Sequence, residues 1–158
     1  MEPFPHRYQV SAAAGHTGDV MMAAGGLETL RIASPAEFGG PGDRWSPETL
    51  LVGAVADCFI LTFRALASYS RLPWVSLTCE VDGTLDRLGR ATQFTGFRIR
   101  AVLRLPEGAN HDQAERLLAR AEETCLVTQS LKAPSHLEAE IEIVRPEPLA
   151  PALADVAG

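Results

Sequence analysis

The chain has 158 residues, 46% hydrophobic and 22% charged, with a formal net charge of −6. That suits one ordinary globular domain, with enough apolar mass to form a core without disulfides or a structural metal. Of the 14 basic residues only Lys132 is a lysine, and the absence of a basic stripe argues against nucleic-acid binding.

In chain order, the first thirty-odd residues predict short strands at Tyr8 to Ala13, Asp19 to Ala24 and Leu27 to Ala33, punctuated by glycines. A turn-rich loop follows from Ser34 to Arg44. The clearest helix start comes next: Ser46 suits the cap, Pro47 the first helical position, and Glu48 places negative charge in the first turn. Leu51, Ala54, Val55, Cys58, Leu61, Thr62, Ala65 and Leu66 then recur at helical spacing, predicting a long helix that ends near Tyr69 to Arg71, before Pro73. Its apolar run, Leu50 to Phe63, contains Asp57 and is expected to be too short and too polar to span a bilayer. Strict alternation predicts half-buried strands at Val75 to Val81, Phe97 to Leu105 and Leu137 to Ile143. The wet faces of the last two carry a row of arginines and a row of glutamates, suited to cross-strand pairing. Between them Asn110 suits the cap of a helix bearing Ala114, Leu117, Leu118 and Ala121 and running into Thr124 and Cys125. The expected organisation is one domain over residues 1–145 and a loose proline- and alanine-rich tail over 146–158. The first eight residues show no secretory signal, so a cytoplasmic protein that does not engage membranes is expected.

The three cysteines, Cys58, Cys79 and Cys125, are odd in number and widely spaced, which is no disulfide framework. There is no C-x-x-C, and the four histidines show no ligand spacing, so no metal is expected. Dinucleotide, P-loop and nucleophile-elbow glycine patterns are missing too. What chemistry remains runs through sulfur. Cys79 falls on the core face of its strand and is read as packing; Cys58 and Cys125 are the two candidates for reactivity.

The stretch from Trp45 to Phe59, with Pro47-Glu48 at its start and Cys58-Phe59 at its end, resembles the first cysteine helix of the OsmC/Ohr family of peroxide-response proteins. Ala121 to Lys132, around Cys125, resembles that family's second cysteine motif, and the likeness runs over roughly residues 8–145. The resemblance implies an α+β fold in which antiparallel strands wrap long central helices of an intertwined homodimer, with sites at the subunit interface. It further implies a thiol peroxidase for organic hydroperoxides. By position, Cys58 is the peroxidatic thiolate, Cys125 the resolving thiol and Glu48 the acid that holds an arginine over the thiolate. No bound cofactor is implied. The recycling co-substrate is a dithiol, of which dihydrolipoyl groups are the family's example. Apolar neighbours such as Phe59, Leu61 and Phe63 would favour organic peroxides.

The chain departs from the family pattern in three places. His16 stands near where the family carries an arginine, so Arg44 is taken on chemical grounds as the activating cation. Asp57 adjoins Cys58, and a step of about 100° per residue turns it away. Leu126 occupies a position where proline is common. Glu48 and Cys58 are ten residues apart, about 15 Å along one helix. For both to serve one site, either the acid comes from a partner subunit or the helix breaks. The same distance removes that helix's N-terminus as the device that activates the thiol, and something cationic is expected instead. Two other readings stay open: a non-catalytic protein binding an apolar ligand at the dimer interface, and a thiol redox sensor.

Overall fold

The computed structural model describes residues 3–145; the tail expected over 146–158 lies outside the described residues. The chain forms two compact units, the first ending at Gly53 and the second beginning at Ala54.

In the first unit, β1 (Ser11–Ala13), β2 (Val20–Ala23) and β3 (Leu30–Ile32) form an antiparallel sheet in the order β1-β2-β3. Each lies inside the corresponding predicted run, shortened by the surrounding glycines. The loop after β3 contains a 3-10 turn at Ala36–Phe38, closed by Gly39 in the left-handed region at φ 79°. Gly40 has a stricter reason to be glycine: a Cβ there would lie 1.6 Å from the Ser34 carbonyl oxygen. The loop returns to β3 through the Ala33 N–H, which donates to the Trp45 carbonyl at 3.0 Å.

The predicted helix start is present in detail. α1 spans Pro47–Tyr69. The Ser46 hydroxyl accepts from the Thr49 N–H at 3.1 Å, while the Thr49 hydroxyl accepts from the Ser46 N–H at 2.8 Å. This is the reciprocal arrangement of a capping box, with threonine in the place usually held by Glu or Gln. At the other end the Leu72 N–H reaches the Ala67 carbonyl and the Arg71 N–H the Ser68 carbonyl, a Schellman closure. Its left-handed residue is Arg71, at φ 54°, where glycine is the usual occupant.

The buried stripe of α1 is Val55, Phe59, Phe63 and Ala67, spaced four apart. The expected stripe through Leu61 and Ala65 is corrected: both are exposed, Leu61 to 57%. The helix is apolar almost all round, so spacing does not select a face, and the two phenylalanines claim the core by volume. The expectation that this segment is too short to cross a bilayer also changes, because the helix runs to 23 residues and is long and apolar enough by length and composition. Four of its side chains are fully buried, and 22% of its apolar window is buried within the single chain.

In the second unit, β4 (Ser76–Leu88), β5 (Ala91–Pro106) and β6 (Ser135–Val144) form a sheet in the order β4-β5-β6. β4 and β5 are antiparallel; β6 joins β5 in parallel, because α2 (His111–Thr124) carries the chain back. The Asn110 side chain caps α2 as predicted, accepting from the Gln113 N–H at 2.9 Å. Phe97, Ile99, Ala101, Leu103 and Leu105 are buried along β5, together with Ala114, Leu118 and Ala121 of α2. Phe63 meets Trp74 edge to face at 5.6 Å. On the wet face Arg104 pairs with Glu142 at 2.7 Å, as the charge rows suggested. Arg100 turns the other way, to Asp82 at 2.6 Å and Glu80 at 3.3 Å on β4.

Both hairpin strands outrun the alternation that predicted them. Thr84 opposes Gly96 and Leu85 opposes Phe94, leaving Thr95 as a bulge. The extra residue puts Phe94 and Phe97 on one face, where their rings stack at 5.2 Å, although three residues apart in a regular strand they would face opposite ways.

Two glycine exchanges are expected to have opposite signs. Gly40→Ala should lower stability by about 1–3 kcal/mol through the clash with Ser34, and Arg71→Gly should raise it by about 1 kcal/mol by relieving the left-handed residue. Denaturant midpoints of the two variants against the parent check both.

Candidate functional site

α1 carries Cys58 one residue before the buried Phe59, and the rotation of about 100° leaves the sulfur half-buried at the edge of the packed stripe. Cys125 stands where α2 ends and a short α3 (Leu126–Gln129) begins, and it is fully buried. Its backbone serves both helices: its N–H donates to the Glu122 carbonyl at 3.4 Å, and its carbonyl accepts from the Gln129 N–H at 3.0 Å. The joint places Cys125 where its thiol and that of Cys58 act on each other's ionisation.

The two thiols are pushed in opposite directions. Burial raises Cys58, but hydrogen bonding from the Cys125 thiol, the Val127 amide, the Thr62 hydroxyl and the Leu126 amide outweighs it and brings the thiol below its ordinary value. Burial raises Cys125, and the neighbouring Cys58 raises it further, only partly offset by the amide and hydroxyl of Thr128. Cys58 is therefore the member that ionises and Cys125 the one that keeps its proton. The Cys125 carbonyl also accepts from the Thr128 hydroxyl at 3.1 Å, which steadies the joint. The groups that most favour the Cys58 thiolate are thus a thiol, a hydroxyl and two backbone amides, where a cation was expected.

Cys79, half-buried on β4, is pushed up to about 11 by burial, with further contributions from Asp57, Cys125 and Glu80. Asp57 is exposed and acts on Cys79. The apolar environment also differs from expectation. Phe59 and Phe63 are sealed in the core, whereas Leu126, adjoining Cys125, is 78% exposed, and Leu61, one turn along α1 from Cys58, is also exposed.

Arg44 and Glu48 lie in the first unit. Arg44 pairs with the Asp43 carboxylate at 2.8 Å and with Asp19 at 3.2 Å, and Asp19 also holds Arg31 at 2.7 Å. The hydrogen bond to Asp19, followed by the charge of Asp43, raises the Arg44 pKa; the Arg44 bond, against a smaller burial effect, lowers that of Asp19. Arg44 is thus held by aspartates. Glu48 has one carboxylate oxygen, Oε2, buried without a hydrogen-bond partner among the described residues. His16 is exposed. An open cleft of about 550 Å³ in this unit is lined by Arg31, Arg44, Trp45 and Thr49, with no cysteine. α1 is continuous from Pro47 to Tyr69, which removes the alternative that the helix breaks between Glu48 and Cys58.

Histidine spacing did not reveal one further grouping: His111, Asp112 and Glu115, on the first turns of α2, place their ligand atoms within 4.8 Å of one another, all exposed. Sequence reasoning also missed Thr62 as a partner of Cys58 and the amides of Leu126 and Val127. Only the threonine had a legible signal, its position one helical turn after a candidate cysteine.

Residues 40–140 match the family model for OsmC-like proteins. The chain belongs to this family. It is similar to the uncharacterized protein YmaD of Bacillus subtilis, with 26% identity over 141 residues covering 87% of this chain and 94% of YmaD. Among solved structures it is similar to an OsmC-like protein of unknown function from Vibrio cholerae, with a TM-score of 0.73 and 17% identity over 89% of this chain and all of that one. An organic hydroperoxide resistance protein from Legionella pneumophila gives a TM-score of 0.69 and 24% identity, covering 88% of this chain and 98% of that one. At these identities the structural likeness establishes the fold.

The opposed shifts predict selective chemistry. With iodoacetamide at pH 7, Cys58 should alkylate first, and its rate should level off at a lower pH than for an ordinary thiol. Cys79 should alkylate more slowly than Cys58, its rate still climbing with pH up to about 11. Peptide mass mapping across a pH series checks the order.

Proposed function

We propose that the protein is a thiol peroxidase that reduces organic hydroperoxides with Cys58 and Cys125. The observation that carries this reading is that Cys58 on α1 and Cys125 at the α2–α3 joint act on each other, with Cys58 shifted towards the thiolate and Cys125 away from it. The Cys58 thiolate attacks one peroxide oxygen, the O–O bond breaks, and the alkoxide takes up a proton and leaves as the alcohol. Cys58 is now a sulfenic acid. Cys125 forms the S–S bond, and the sulfenic hydroxyl leaves with the Cys125 proton as water. A dithiol, dihydrolipoyl or similar, then reduces the disulfide by exchange.

Family membership supports the reading, as does the name of the Legionella relative, an organic hydroperoxide resistance protein. The preference for organic substrates is supported by the exposed Leu61 and Leu126 in place of the buried phenylalanines. The working unit is a homodimer in the cytoplasm. In it Glu48, with its unpartnered buried oxygen, would come from the partner chain and hold an arginine over the thiolate. For Arg44 to be that arginine, it must exchange Asp19 and Asp43 for Glu48.

One equivalent of cumene hydroperoxide added to fully reduced protein, with hydrogen peroxide in parallel, tests the proposal. Two thiols should disappear rapidly into a Cys58–Cys125 disulfide, faster with the organic peroxide, and Cys125→Ser should stall as the sulfenate after a single turnover. Survival of all three thiols for minutes would sink the proposal.

A further inference from the structure

The Thr62 hydroxyl lies 3.9 Å from the Cys58 sulfur, one helical turn further along α1. A hydroxyl at this spacing ordinarily bonds the carbonyl four residues back. Elsewhere in this protein that is what happens: Thr124 donates to the Arg120 carbonyl at 2.7 Å and Ser130 to the Leu126 carbonyl at 2.9 Å. Thr62 turns instead to the sulfur. With Cys58 protonated, either group can donate. With Cys58 ionised, the sulfur has no hydrogen left, and only the Thr62 O–H can serve. The contact is therefore stronger in the thiolate state, because a hydrogen bond to an ionised acceptor exceeds one between neutral groups.

We infer that Thr62 is a functional member of the site, a hydroxyl that donates to the Cys58 sulfur one helical turn away and favours its ionised form. Because this donor is neutral, its effect does not depend on an ion pair that salt can screen. The inference rests on the peroxidase reading for its purpose, but its test needs no peroxide.

The test is the pH dependence of Cys58 alkylation by iodoacetamide, followed by mass mapping of the Cys58 peptide, in the parent chain and in Thr62→Val, Thr62→Ala and Thr62→Ser. Valine removes the hydroxyl at nearly constant shape; alanine is the second variant should valine not pack; serine keeps the hydroxyl. Thr62→Val or Thr62→Ala should move the inflection to higher pH and slow alkylation at pH 7 by about threefold to tenfold. Thr62→Ser should restore the parent profile. A folded Thr62→Val or Thr62→Ala chain that alkylates like the parent overturns the inference. So does a serine variant shifted as far as the alanine one, because the cause is then packing. A shifted inflection in a protein that does not consume peroxide leaves Thr62 in its role and removes the peroxidase reading instead.

Discussion

The rotation of α1 about its own axis is the constraint on which the chemistry depends. Val55, Phe59, Phe63 and Ala67 are buried at four-residue spacing, and a helix with two phenylalanines sealed in the core cannot turn without opening a cavity. Once that angle is fixed, Cys58 lies one step to the side, neither in the core nor in open solvent. That intermediate position matters. A fully buried sulfur would keep its proton, and a fully exposed one would lose the directed hydrogen bonds that favour ionisation. The reciprocal cap at Ser46 and Thr49 and the Schellman closure at Leu72 define the two ends of the helix that carries it.

The second determinant is the joint between α2 and α3. Cys125 closes one helix and opens the next with extended backbone angles, φ −60° and ψ 116°. The following amides, at Leu126 and Val127, are among the first N–H groups of a helix, which have no partner within it. They are available to a sulfur on another element, and both amides lower the Cys58 pKa. Leu126 gains significance here. A proline at that position has no N–H to offer, whereas the Leu126 amide is among the groups that lower the Cys58 pKa. In the first unit Arg31 and Arg44 are meanwhile both held by Asp19, and Arg44 also by Asp43.

Much of the fold was legible because the local signals agree with the packing. Ser46-Pro47-Glu48 marked the start of α1, Asn110 that of α2, and the apolar alternation in Phe97 to Leu105 marked the central strand. Legibility ended where the period breaks or carries no contrast. The bulge at Thr95 shifts the alternation by one, so Ala91 to Gly96 did not read as strand. The apolar circumference of α1 hid which stripe is buried. Nothing in the alternation showed that β6 would join in parallel, a matter of how α2 returns the chain. Of the site, the two cysteines were visible as residue types at matching positions. Backbone amides have no letter in the sequence, so the donors that replace the expected cation were not.

The pairing of Cys58 with Cys125 also bears on how firmly the molecule holds together. The two residues belong to α1 and to the end of α2, with the long β4–β5 hairpin between them in the chain. Closing a bond there ties off a large loop of the unfolded chain, a restriction that loop-closure arguments put at about 4 kcal/mol. Oxidation at this point is therefore coupled to cohesion: the disulfide form should resist heat and proteases better than the dithiol form, and its melting temperature becomes a label-free gauge of redox state.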